Sequence, residues 1–401
     1  MKENFFRKWH VFQTIAQMIF WIAIGIFTII NPNHLIFKKR LSNWVMCLML
    51  LAMLILQLTI AKPEKRDSHW IQFNHYLQIF LIGITLQGSV STFLAFVHKY
   101  HILNFNFWAI LATLYSLIMY LPLAQLALAK IKNNWGRMFM LAFVIFSFAL
   151  SGPTLAGNSS HLYLQPLQLL NNSGVTGTIA LLLITLPVMH EWGFASPHFK
   201  ISRNAGLGVL AFIVLVIFVD IMFNSFNVSS SFKNLFTAWD FKFVKVSWMF
   251  TLEACEAGIA EEWLMRYCMS RLLMRQFSNS KNMIMWSVIG NGILFGLFHF
   301  GNIAGQPASA TFEQMFSAAS WALLMTAIYL YTDSLAINMV YHGIYDMLAF
   351  YTSGSVHEAV PDAFTWQIDI LLFFIYASVA YFLISGKRKK TIELNLANNE
   401  I

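Results

Sequence analysis

The residues best able to do chemistry lie in the C-terminal half of the sequence, in three short polar motifs set within apolar stretches. The first motif occupies residues 261–266 and reads EEWLMR. In a helix, Glu262 and Arg266 are one turn apart, the spacing at which a carboxylate and a guanidinium pair. Glu261 then points to another face, so the two carboxylates occupy different electrostatic environments, as general acid–base chemistry requires. The alternative is a structural ion pair with a spare glutamate.

The second motif reads FGLFH over residues 295–299. Phe295 and His299 share one helix face. Gly292 and Gly296 form a stripe of small residues that lets a neighbouring helix approach closely. This histidine is a candidate catalytic group, and a hydrogen-bonded core histidine is the alternative interpretation.

The third motif places Asn338, His342 and Asp346 on successive turns of one helix face. An aspartate within reach of an imidazole can fix its tautomer, which favours an orienting or oxyanion-stabilising role. The alternative is a polar seam that joins neighbouring helices.

The elements that carry these motifs must be membrane helices. The 401 residues are 58% hydrophobic and 11% charged, with a mean hydropathy of +0.61, whereas soluble proteins carry about 25% charged residues. The net charge of +8 sits in short basic clusters between apolar runs, which membrane topology explains better than binding to nucleic acid. The three cysteines have no C-x-x-C spacing, so neither a disulfide framework nor a zinc ribbon is predicted.

Apolar windows long enough to cross a bilayer recur along the whole chain. They predict an all-α, polytopic transmembrane helical bundle of about twelve spans in the cell membrane. The Lys and Arg bias of the short loops puts both termini in the cytoplasm, although the basic triplet at 38–40 falls outside. The windows are 11–30, 41–61, 71–97, 102–129, 138–157, 174–189, 204–224, 243–270, 284–304, 315–332, 335–352 and 365–385.

Three regions follow from the distribution of ionisable residues. Residues 1–203 form an N-terminal transmembrane module of unknown role, with few ionisable side chains inside its spans. Residues 204–385 contain all three motifs, and residues 386–401 are a basic cytoplasmic tail. Charges within a membrane cost several kcal/mol, so their concentration in one region predicts a functional site there.

A depth argument predicts that the motifs meet. If Arg271 marks the cytoplasmic boundary, Glu261 lies about 15 Å inside the membrane, at 1.5 Å per residue. An antiparallel hairpin with its tip near residues 278–280 puts His299 level with Glu261. His342 enters its own span from the same side by roughly 11 Å. One glutamate and two histidines are therefore expected at one depth.

The ordered set E-E-x-x-x-R, F-x-x-x-H and H-x-x-x-(N or D) resembles the CPBP family of intramembrane proteases. This family includes the Rce1-type CAAX prenyl endopeptidases and the bacterial Abi proteins linked to bacteriocin self-immunity. The resemblance covers residues 205–352. It implies an intramembrane protease core in which Glu261 activates water, His299 is its catalytic partner and His342 stabilises the oxyanion with help from position 346.

The same resemblance implies that Glu262 and Arg266 are the supporting pair. The prenyl endopeptidases typically have Asn where this chain has Asp346, and a carboxylate is a poor oxyanion donor, so Asp346 is instead expected to orient His342. The resemblance further implies a membrane-embedded or membrane-associated peptide or protein substrate, in CAAX-type processing or bacteriocin self-immunity.

The family has been described both as metalloproteases and as metal-independent glutamate proteases. Glu261, His299 and His342 would supply three zinc ligands with an open fourth position. However, there is no H-E-x-x-H motif, and Glu261 used as a ligand leaves no evident base. The sequence therefore favours a mechanism without a cofactor, with zinc as the alternative.

Two other functions remain open at the level of the sequence. A proton-coupled transporter also buries acids and histidines, but it predicts related polar positions in both halves of the chain. A non-catalytic immunity or regulatory protein would bind another membrane protein, and its function would survive Glu261→Gln.

Overall fold

The computed structural model describes residues 2–30, 40–61, 69–101, 104–144 and 165–398. These residues form helices and connecting segments, with one isolated antiparallel bridge between Asn227 and Trp239. The prediction of an all-α polytopic membrane protein is confirmed. The chain divides into two compact units, Met1–Trp192 and Gly193–Ile401.

The first unit contains eight described helices. A buried cluster that includes Trp21, Cys47 and Leu54 joins the first two of them. The last two are bent by 58° at a break where Gly174 has a positive φ of 79°. The helices are α1 (Lys2–Ile30), α2 (Arg40–Gln57), α3 (His69–Tyr100), α4 (Phe105–Ser116), α5 (Leu121–Leu126), α6 (Asn134–Val144), α7 (Gln165–Asn172) and α8 (Val175–Glu191).

The second unit carries the three motifs. A π-helix, Trp263–Met269, links α10 to α11, and a 3₁₀ helix, His299–Ala304, follows α12. The α-helices are α9 (Leu207–Phe226), α10 (Trp248–Glu262), α11 (Ser270–Gln276), α12 (Met283–Phe298), α13 (Ala308–Thr332), α14 (Leu335–Ser353), α15 (Ala363–Ile384) and α16 (Gly386–Asn398).

Seven described helices are long and apolar enough to cross a membrane, or up to eight if the bent pair α7 and α8 forms one span. The predicted count of twelve is therefore not confirmed. Part of window 138–157 lies outside the described residues, and window 41–61 forms a shorter apolar helix. Windows 243–270 and 335–352 are largely helical but are not among the seven. Both carry polar residues of the motifs, which lower their hydropathy.

Glycines allow the helices of the second unit to pack closely. A Cβ on Gly296 would lie 2.5 Å from the carbonyl oxygen of Met315 and 2.8 Å from the Cβ of Ala319, both on α13. A Cβ on Gly258 would lie 2.8 Å from the backbone nitrogen of Gly343 on α14. The predicted close approach at the Gly292 and Gly296 stripe is confirmed. These contacts bring α12 to α13 and α10 to α14.

The segment around the first motif is not one continuous α-helix across the apolar window 243–270. Helix α10 begins at Trp248, because the Ser247 side chain caps its N-terminus by accepting a hydrogen bond from the Phe250 N–H. The π-helix then starts directly after Glu262. Such π segments inside α-helices occur frequently at functional sites, since they change the direction of the side chains that follow.

Candidate functional site

The predicted pairing of Glu262 with Arg266 is confirmed. Arg266 Nε lies 2.9 Å from Glu262 Oε2, and Arg266 Nη2 donates to Glu262 Oε1 at 3.2 Å. Both side chains are fully buried. Two contacts between planar groups compensate both charges in a place where water cannot solvate them.

Asn291 on α12 supports this pair and was missed by the sequence analysis. Its Oδ1 accepts from Arg266 Nη1 at 2.7 Å and from Thr326 Oγ1 at 3.0 Å, while its Nδ2 donates to the Met265 carbonyl at 2.7 Å. Asn291 therefore links the π-helix to α12 and α13. The sequence contained one relevant indication, an isolated amide in an apolar span, where burial without a hydrogen bond is costly.

His342 lies among three carboxylates. Its Nδ1 is 2.9 Å from Glu262 Oε1, and its Nε2 is 3.3 Å from Asp346 Oδ2 and 3.9 Å from Glu261 Oε2. The contact with Asp346 is the predicted contact between successive turns of α14. The contacts with residues 261 and 262 result from the packing of α10 against α14, as the depth argument predicted for His342.

Glu261 differs from its neighbour in environment. Its side chain is 20% exposed, whereas that of Glu262 is fully buried. The Oε2 atom of Glu261 is itself buried and has no hydrogen-bond partner among the described residues. Charge–charge interaction connects this carboxylate with both His299 and His342. The two adjacent carboxylates thus have different partners and different access to solvent.

His299 directly follows the last residue of α12, as its C-terminal cap, and is half-buried. Its Nδ1 is 2.9 Å from the Phe295 carbonyl oxygen, which orients the opposite nitrogen, Nε2, away from its own helix. The Phe295 ring packs edge-on against His299 at 4.8 Å and against His342 at 6.2 Å between ring centroids. Phe295 therefore lies between the two histidines, and the predicted shared face of residues 295 and 299 is confirmed.

Asn338, the earlier member of the third motif, is buried and donates to the Met325 carbonyl at 2.8 Å. This bond joins α14 to α13. Asn338 therefore forms part of a polar seam between helices, which is the alternative interpretation given for the third motif.

A metal requires ligands that converge on one point. Among the residues that the structure describes, no three His, Cys, Asp or Glu side chains form a group able to hold a metal ion. The Nδ1 of His342 faces Glu262, and its Nε2 is closest to Asp346. The three side chains considered for zinc do not form such a group among the described residues.

The fold and the site define a polytopic membrane protein with a cluster of carboxylates and histidines buried between α10, α12 and α14. Residues 243–348 match the model of the family described as Type II CAAX prenyl endopeptidase Rce1-like, which is a branch of the CPBP family. The matched segment contains all eight motif residues and supports an activity of the intramembrane endopeptidase kind. No curated protein and no solved structure gave a match.

Proposed function

We propose that the second unit hydrolyses peptide bonds within the membrane by means of a water molecule activated by Glu261. The observation that carries the proposal is the position of Glu261 Oε2, a buried oxygen without a hydrogen-bond partner among the described residues, 3.9 Å from His342 Nε2. A carboxylate oxygen that no protein donor satisfies is suited to accept a proton from water. The imidazole opposite it is suited to donate to the oxygen on which charge develops.

The proposed reaction is hydrolysis with a general base. Glu261, with His299 as its catalytic partner, takes one proton from water, and the hydroxide attacks the scissile carbonyl carbon. The negative charge moves to the carbonyl oxygen, where His342 Nε2–H stabilises it. Collapse of this intermediate breaks the C–N bond, and the proton held by Glu261 passes to the leaving amine.

For Nε2 to donate while Nδ1–H is bonded to Glu262, His342 acts as the imidazolium, in which both nitrogens carry a proton and which the carboxylates of Glu262 and Asp346 stabilise. Glu262 Oε1 accepts from Nδ1–H, which fixes the ring and leaves Nε2 facing Glu261 and Asp346. Arg266 keeps Glu262 ionised and held in place. Asp346, 3.3 Å from Nε2, is proposed to orient the imidazole rather than to act as an oxyanion donor.

The proposed substrate is a membrane-embedded or membrane-associated peptide, because the cluster is enclosed between helices of a membrane unit. The name of the matched family suggests a prenylated CAAX tail as the first substrate to test. We further propose residence in the cell membrane with both termini in the cytoplasm, from the Lys and Arg bias of the loops. Bacteriocin self-immunity is the second biological setting that we propose.

The test is cleavage of a quenched fluorescent peptide that ends in a farnesylated CAAX sequence, by detergent-purified protein. Glu261→Gln and His299→Ala are each expected to reduce turnover by at least about 100-fold. Glu253→Gln is the matched control, because this glutamate lies on the same helix two turns before the site. Activity is expected to survive a zinc chelator.

Glu261→Gln with wild-type turnover would contradict the proposed role of Glu261. Loss of activity on chelation, restored by zinc, would contradict the metal-free mechanism. A wild-type protein that cleaves no membrane peptide, but whose effect in cells survives Glu261→Gln, would favour the non-catalytic partner.

A further inference from the structure

Asp220 is a buried carboxylate that the proposed reaction does not use. It lies on α9, outside the segment that matches the family, and it is the single acidic residue of that helix. Its side chain accepts hydrogen bonds from three aromatic residues on three other helices. The donors are Trp321 on α13, Tyr341 on α14 and Tyr376 on α15.

The two oxygens of this carboxylate have separate partners. Oδ2 accepts from Trp321 Nε1 at 3.1 Å and from the Tyr341 hydroxyl. Oδ1 accepts from the Tyr376 hydroxyl at 2.5 Å. A buried carboxylate is costly unless it is hydrogen-bonded, so these donors both stabilise Asp220 and are held by it.

Trp321 connects this group to the candidate site. Its ring lies edge-on to the His342 imidazole, with 4.8 Å between centroids and an interplanar angle of 82°. Tyr345 stacks on Trp321 at 5.0 Å. Phe295 contacts His342 as well, so Trp321 and Phe295 provide two aromatic contacts to the imidazole.

The orientation of His342 depends on these aromatic contacts. Glu262 and Asp346 contact the two nitrogens of His342, but the outer torsion of histidine has a broad energy profile, so the rings packed beside the imidazole also limit how far it can turn. The direction of Nε2 therefore depends on these rings as well as on the two carboxylates. The Trp321 ring is held in turn by its N–H, which donates to Asp220 Oδ2 and to the Tyr341 hydroxyl, both at 3.1 Å, and Asp220 also accepts from that hydroxyl.

We propose that Asp220 is a positioning residue that fixes the Trp321 ring and, through it, the direction in which His342 presents Nε2. Its effect on turnover rests on the proposed function. Its effect on the orientation of His342 does not. The two claims can therefore be tested separately.

The first test records NMR spectra of histidine-labelled protein in detergent micelles, with the His342 imidazole assigned by comparison with His342→Gln. Asp220→Asn and Trp321→Phe are expected to shift the His342 resonances, because Trp321→Phe removes the indole N–H and Asp220→Asn replaces its charged acceptor by a weaker, neutral amide. Tyr376→Phe is the control, since it removes the bond to Oδ1 and keeps the one from Trp321 to Oδ2. His342 resonances that stay at their wild-type positions in Asp220→Asn and Trp321→Phe would overturn the proposal.

The second test measures turnover of the farnesylated peptide. Asp220→Asn and Trp321→Phe are each expected to lower kcat by about 10- to 100-fold with little change in KM, as a displacement near 1 Å predicts. The double variant is expected to be no slower than the slower single variant, because both changes break one connection. Trp321→Phe keeps an aromatic ring and serves as the test if Asp220→Asn does not fold.

A purely structural role gives a different pattern. It would lower the yield of folded protein while kcat per folded molecule and the His342 resonances stay at wild-type values, and this result would refute the positioning role. If the wild type does not cleave the peptide, the proposed function fails, and the NMR comparison still decides the role of Asp220.

Discussion

The buried pair of Glu262 and Arg266 allows stability to be separated from catalysis. In Glu262→Gln, Arg266 keeps its charge in a position with no solvent exposure, while the ion pair with contacts of 2.9 and 3.2 Å is lost. Removing one partner of a buried ion pair costs about 3–5 kcal/mol. In a unit of this size, about 1 kcal/mol shifts Tm by roughly 2–4 °C, so a fall of about 6–20 °C is expected.

The double variant Glu262→Gln with Arg266→Met is expected to recover most of that stability. Replacing both partners removes the uncompensated charge. Asn291 keeps the hydrogen bonds from Thr326 and to the Met265 carbonyl, so it is not left unsatisfied. Activity is expected to stay at least about 100-fold below wild type in both variants, because a neutral amide no longer balances the charge of His342.

The assay is thermal unfolding in detergent, followed by the intrinsic fluorescence of the 13 tryptophans, together with turnover of the farnesylated peptide. Glu393→Gln is the matched control. It also breaks a pair four residues apart, with Lys389 at 3.7 Å, but on an exposed surface where such pairs contribute about 0.3–0.5 kcal/mol. A Tm for Glu262→Gln within about 2 °C of wild type, or a double variant no more stable than the single one, would refute this reasoning.

Three further predictions concern packing, the departure from the family pattern and pH. Gly296→Ala should cost about 1–3 kcal/mol in unfolding measurements, because its Cβ meets α13 backbone at 2.5 Å, while Gly208→Ala, with nothing within 4 Å, should not destabilise. Asp346→Asn should retain turnover, since the amide oxygen can still accept from His342 Nε2–H and orient the imidazole; a loss like that of Asp346→Ala would show that the carboxylate is required. In the loop before α15, part of Glu358 reaches solvent, yet desolvation by the surrounding protein raises the pKa of its carboxyl, and the nearby carboxylate of Asp346 raises it further. The folded state then binds this proton more tightly, so stability is lost as pH rises through the raised pKa. The Tm of Glu358→Gln should therefore increase relative to that of the wild type as the pH is raised from 4 to 8. A difference in Tm that stays constant over this range would contradict the prediction.

The local geometry within each helix could be predicted from the sequence. Pairing of Glu262 with Arg266 and of His342 with Asp346 needs only the helical repeat, since partners four residues apart share a face. The close approach at Gly296 also followed from the sequence, because small residues in a membrane helix mark a packing face. Composition sufficed for the membrane class, since too few charges are present to cover a soluble surface.

The number of spans and the course of the first motif could not be predicted in the same way. A hydropathy profile scores the polar residues of a site as if they faced lipid. It therefore does not distinguish a membrane helix that carries a functional site from a helix that is too short or too bent to cross the membrane. The π-helix at Trp263–Met269 was not predicted from the sequence. Asn291 donates to the carbonyl of Met265 within it, and this contact comes from another helix.

The sequence by itself determined the membrane class, the helical character and the three polar motifs, because these depend on composition and on spacing along one chain. Only the tertiary structure decided which nitrogen of His342 faces which carboxylate, and that Asn291, Trp321 and Asp220 belong to the same network. The physical reason is that these contacts join residues up to about a hundred positions apart. Their geometry is set by the packing of α9 to α15 rather than by any local repeat.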